Sequence, residues 1–85
     1  MAKYRIEIKI SAVKEISKLP IKELKKILKE IKLLADNPRP FGAIKLSGDE
    51  KYRLRVGNYR ILYQIYDEIL IIIIVKVGHW KNIYK

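Results

Sequence analysis

The sequence predicts an α+β domain of order β-α-α-β-β-β, a four-stranded, mostly antiparallel sheet with two helices packed on one face. Three patterns predict it. Residues 3–10 alternate strictly between charged and apolar, as a half-buried strand does. Apolar residues then recur at three- and four-residue spacing between positions 13 and 35, the helical period. From Lys51 onward the period returns to two, broken at Gly57-Asn58 and Asp67-Glu68 by pairs short enough for hairpin turns.

In the first strand Tyr4, Ile6, Ile8 and Ile10 share a face opposite Lys3, Arg5, Glu7 and Lys9. Ser11 is placed to cap a short helix carrying Val13 and Ile16. That helix ends near Leu19-Pro20, and Pro20 suits the first turn of the next. The second helix presents Leu24, Ile27, Leu28, Ile31, Leu34 and Ala35, with Lys22, Lys25, Lys26, Lys29 and Lys32 as a solvent-facing stripe. Asn37-Pro38-Arg39-Pro40-Phe41-Gly42 stops it, because each proline removes a donor and restrains φ. Strands are then predicted at Lys51–Val56, Tyr59–Tyr66 and Ile69–Val77. The last is apolar on both faces, as a central strand covered on both sides would be. Its expected neighbour is the first strand, reached by a crossover through the helix pair.

At 85 residues the chain is expected to be one domain spanning 1–85, near the lower size limit for a single unstapled core. There is no cysteine for disulfides or thiolate metal sites. Charges at positions 3, 5, 7 and 9 argue against a signal peptide. The longest apolar run, Ile69 to Val75, falls far short of the roughly 18–20 residues a membrane helix needs. A soluble protein is expected. The net charge of +10 favours a polyanionic partner.

The stretch Lys51–Tyr66 concentrates that charge. Lys51, Arg53 and Arg55 point one way, Tyr52, Leu54 and Val56 the other, and Arg60 follows across the Gly57-Asn58 turn. A guanidinium is a planar fork suited to phosphate, so an arginine cluster on a sheet suggests a phosphodiester partner. With one histidine and no cysteine, a zinc site is not expected, and no Gly-rich phosphate loop is present. The remaining inventory suits charge stabilisation and proton transfer at a phosphate. RNA fits, since its 2′-hydroxyl is a built-in nucleophile. His79 reads as either a turn residue or an acid–base group. Trp80 reads as a core plug, a base-stacking platform or an interface anchor. Lys81 adds a cation, and Tyr84, beside the C-terminus, frays unless something holds it.

The pattern Asn37-Pro38-x-Pro40-x-Gly42-x-x-Lys45-Leu46-x-Gly48, then Tyr52 to Tyr63, then Val77-Gly78-His79 and Ile83-Tyr84, resembles the RelE/ParE toxin superfamily, with its RelE branch nearest. The resemblance covers essentially the whole chain. It implies a cytoplasmic toxin of a type II toxin–antitoxin system, held by a cognate antitoxin. Its activity would be that of an mRNA interferase cutting messenger RNA in the ribosomal A site by 2′-hydroxyl attack, with neither metal nor cofactor. By the same resemblance Arg53 and Arg55 line the message beside Lys51, and Arg60 stabilises the transition state. Tyr84 stacks on or orients the nucleotide, and His79 stands where relatives carry Lys or His for acid–base work. Trp80 stands where relatives usually carry Arg, and Lys81 is the nearest replacement charge. Two other readings stay open: a ParE-like inhibitor of DNA gyrase, and a relative that binds RNA or ribosomes without cutting.

Overall fold

The computed structural model describes residues 3–46 and 50–81. Tyr84 lies outside the described residues. The elements are β1 (Arg5–Ile8), α1 (Ile10–Ser17), α2 (Ile21–Leu34), β2 (Ile44–Lys45), β3 (Lys51–Val56), β4 (Tyr59–Tyr66) and β5 (Ile71–His79). The sheet runs β1-β5-β4-β3-β2, with β1 parallel to β5 and the other pairs antiparallel. The expected crossover therefore joins β1 to β5 through the helices.

The sheet has five strands rather than the four predicted. The extra one, β2, pairs only Ile44 with Arg53 and Lys45 with Tyr52, and two residues are too few to show a period. The first strand is shorter than 3–10, because the chain turns into α1 at Ile10. Lys9 occupies the N-cap without a side-chain cap bond, and Ser11 lies inside the first turn. Ala12 and Ile16, not Val13, form the buried face of α1. On α2, Ile27, Ile31 and Leu34 are buried and Leu24 packs against the core, whereas Leu28 is exposed. The five lysines of α2 are exposed, as its amphipathic pattern requires.

Gly57 and Asn58 do close the β3–β4 hairpin. Gly57 has φ +59 and no positive φ occurs at Asn58, the sign pattern of a turn whose first central residue favours glycine. The predicted two-residue turn at Asp67-Glu68 instead spans residues 67–70, with Leu70 in the left-handed region at φ 54. This delays β5 to Ile71, and Leu70 O accepts the Arg5 N–H at 2.8 Å.

The core lies between one sheet face and the helices. Ile61, Tyr63, Ile65, Ile72 and Ile74 have no exposed surface, and each buried isoleucine contributes about 1.5–3 kcal/mol. The opposite face is not covered by helices. Ile71, Ile73 and Val75 are only half-buried there, so β5 is not sandwiched as expected.

The proline loop is tied across the sheet end away from Gly57. Arg39 donates to Asp67 through Nη1 (3.2 Å) and Nη2 (2.7 Å), and its Nε donates to Tyr52 Oη at 3.0 Å. The Tyr4 hydroxyl also donates to Asp67. These bonds, Arg39's first, hold the Asp67 carboxyl below its ordinary value and push Tyr4 and Arg39 up. Tyr63 donates to Pro38 O at 2.8 Å, and its burial raises the phenol to about 12.

Candidate nucleic-acid interface

Cross-strand register sorts the functional side chains onto the two sheet faces. Tyr52 pairs with Tyr63, Leu54 with Ile61 and Val56 with Tyr59, all toward the core. The intervening positions face outward: Lys51 opposite Gln64, Arg53 opposite Leu62, Arg55 opposite Arg60. Outward positions of β3, β4 and β5 thus carry Lys51, Arg53, Arg55, Arg60 and Lys76, and no carboxylate. Arg55 and Arg60 are like charges directly opposed, an arrangement that destabilises a sheet unless an anion sits between them.

Arg60 shows the need most clearly. Its Nε and Nη1 are buried, yet neither has a hydrogen-bond partner. A buried donor left unmatched costs about 1–3 kcal/mol, a cost that an acceptor brought to the guanidinium would offset. Arg55 is exposed and its Nε reaches Gly57 O at 3.4 Å.

The tail residues sit at the same sheet end but not on the same face. Arg60 pairs with Gly78, and Tyr59 pairs with His79. His79 therefore shares the core-side row with Tyr59, and the two rings make an edge contact at 5.7 Å. The Trp80 ring lies 5.9 Å from that of His79, and Lys81 Nζ stands 5.7 Å from the Trp80 ring centroid. Trp80 is 45% exposed, so its face is partly free for stacking rather than plugging the core. Its backbone N–H donates to Asn58 O at 3.0 Å, which ties the tail to the hairpin turn. His79 Nδ1 accepts the Lys81 N–H at 3.2 Å, so the neutral ring carries its proton on Nε2. The structure thus gathers Lys51, Arg53, Arg55 and Arg60 on one face, and groups His79, Trp80 and Lys81 around the adjoining rim.

Two contributors escaped the sequence reading. Tyr59, classed there with the strand, braces His79. Lys76 is the one cation within Ile71–His79 before the histidine, and its break in an apolar run was the available signal. At the far end of the sheet Glu50, Tyr66, Asp67, Glu68 and Ile69 line an acidic cavity of about 340 Å³. Acidic side chains thus cluster at the end away from Gly57, where Lys51 also begins β3, while Arg55 and Arg60 lie toward the turn.

The ParE toxin family of type II toxin–antitoxin systems matches residues 6–84. The chain belongs to the RelE/ParE toxin superfamily. This toxin is 37% identical over 87 residues to the candidate toxin RelE1 of Methanocaldococcus jannaschii, covering 98% of this chain and 97% of that one. Its fold is that of RelE in the archaeal RelE–RelB complex of Pyrococcus horikoshii (TM-score 0.81, 27% identity, 96% and 99% of the two chains). It also matches the isolated Escherichia coli RelE toxin (TM-score 0.78, 26% identity, 89% and 83%). It is a RelE-like toxin of the type II class.

Proposed function

We propose that this toxin is a ribosome-dependent endoribonuclease that cuts messenger RNA without a cofactor. The observation that carries the reading is Arg60, whose buried Nε and Nη1 lack partners on an otherwise cationic face. In the proposed step the RNA 2′-oxygen loses its proton to a base and bonds to the adjacent phosphorus. The bond from phosphorus to the 5′-oxygen breaks, and that oxygen takes up a proton. The products are a 2′,3′-cyclic phosphate and a 5′-hydroxyl.

Lys51, Arg53 and Arg55 hold the message backbone, where each phosphate contact adds salt-sensitive affinity. Arg60 matches the charge that grows on the phosphoryl oxygens, the contact that strengthens toward the transition state. His79, with its proton on Nε2, serves as acid–base group from the rim. Trp80 stacks on a base, with Lys81 beside it, and Tyr84 orients the nucleotide. A cognate antitoxin, like the RelB bound to RelE in the Pyrococcus complex, restrains the toxin in the cytoplasm. Acidic segments of the antitoxin would answer the net charge of +10.

The test is cleavage of message on ribosomes programmed with an open A-site codon, with 3′ ends mapped and Arg60→Ala alongside. Cleavage is expected from the intact toxin and at least about 100-fold less from the variant. Equal cleavage by both would remove Arg60 from its role. The match to the ParE family favours one other reading, inhibition of DNA gyrase. No cleavage, together with gyrase-dependent DNA breaks in cells, would establish it instead.

A further inference from the structure

The β4–β5 ladder is irregular at one point. Leu62 pairs with Lys76 and Tyr63 with Ile74, so Val75 is an extra residue on β5. Without that bulge the alternation Ile72, Ile74 would carry Lys76 onto the core face and turn Val77 outward. With it, Val77 is 1% exposed in the core and Lys76 joins the outer face. A bulge gives up regular pairing in order to re-aim a side chain, and such features gather beside functional sites.

The side chain it re-aims lands beside Arg60. Gly78 lies directly opposite Arg60, and Lys76 lies two residues before Gly78 on the same face. Diagonal neighbours of this kind lie about 7–8 Å apart, within joint reach of one phosphate for Lys and Arg. Among the described residues no carboxylate pairs with Lys76. Gly78 does not adopt a left-handed φ, and a Cβ built on it meets nothing within 4 Å. Its backbone does not demand glycine. What glycine provides is an open notch with Arg60 and Arg55 across from it and Lys76 alongside.

We infer that Lys76 is a second phosphate-binding cation of the RNA site, acting with Arg60 on one phosphodiester seated over Gly78. This rests on the ribonuclease reading for its catalytic consequence. The ammonium contacts a non-bridging oxygen and supplies positive charge at the phosphoryl group, where Trp80 offers none.

The experiment has two arms, applied to the intact toxin, Lys76→Met, Lys76→Arg, Gly78→Val and, as a control, the exposed helix lysine variant Lys14→Met. In the first arm, single-turnover cleavage on programmed ribosomes is expected to fall about 10- to 100-fold in Lys76→Met, the range for losing one hydrogen bond to a charged group. Lys76→Arg is expected to retain most of the rate, Gly78→Val to lose it, and Lys14→Met to match the parent. Wild-type rates in Lys76→Met, or an equal loss in Lys14→Met, would overturn the assignment. In the second arm, inorganic phosphate is titrated while the Gly78 amide resonance is followed. A shift present in the parent and absent in Lys76→Met supports the seat even if the parent cleaves no message, which would sink the nuclease reading alone. Equal shifts in both, or none in the parent, would overturn the seat.

Discussion

Replacing Arg60 with methionine should make the toxin more stable while disabling it. Nε and Nη1 of Arg60 are buried and unmatched, and each such donor costs about 1–3 kcal/mol. Because the residue as a whole is only half-buried, the low end applies, about 2 kcal/mol for the pair. Methionine keeps the stem's packing and also relieves the opposed Arg55 charge, a smaller gain of about 0.2–1 kcal/mol. For a domain of this size 1 kcal/mol moves the melting midpoint by about 4–8 °C, so a total of about 2–3 kcal/mol should make Arg60→Met melt roughly 8–24 °C above the parent. Thermal unfolding followed by circular dichroism at low ionic strength measures this. Phosphate added to the same samples should raise the parent's midpoint, since it binds the folded state, and raise the variant's by less. A variant melting at or below the parent would refute the reasoning, for it would mean that the guanidinium is satisfied without an anion.

Three further outcomes are expected. Asp67 has a lowered pKa, so its ion pair stabilises the fold above the ordinary carboxylate range and is lost as pH falls through the lowered value. Asp67→Asn should flatten that acid limb of a melting-point–pH profile, and an unchanged limb would remove Asp67 as its cause. Tyr63→Phe leaves the Pro38 carbonyl without its donor and should cost about 1 kcal/mol in urea unfolding. The parent's Tyr63 contribution is fully present below pH 10.0 and lost as pH rises toward about 12; the variant should lack this alkaline loss. Gly57→Ala, at φ +59 with nothing within 4 Å of the new Cβ, should cost about 1 kcal/mol through backbone strain alone. A cost near zero would show that the turn can change type.

The proline loop links these stability effects to the site. Arg39 and Tyr63 fasten it at the Asp67 end of the sheet, while Arg55 and Arg60 oppose each other near the Gly57 end. Disturbing the fastening should therefore lower stability without altering the outward cations of β3 and β4.

Much of the architecture was legible because periodicity is a one-dimensional signal. The bounds of β3 and β4, the buried stripe of α2, the Gly57 turn and the parallel neighbour of β5 follow from alternation, helical spacing and turn chemistry. Adjacency of Arg53, Arg55 and Arg60 on one face needed only a hairpin of known register. Other features depend on contacts between distant segments. β2 exists only because β3 is there to pair with it. The 67–70 turn places Asp67 where Tyr4 and Arg39, far away in sequence, can reach it. No period reveals a single inserted residue such as Val75, yet that residue decides which face Lys76 takes. The same limit separates Arg60 from His79: strand pairing sets their side chains on opposite faces. Composition and period thus determined a basic α+β domain with an arginine-bearing hairpin. Only the tertiary structure decided which cations share a face with Gly78, because a sheet face is defined by register between strands, and register is a property of the folded pair.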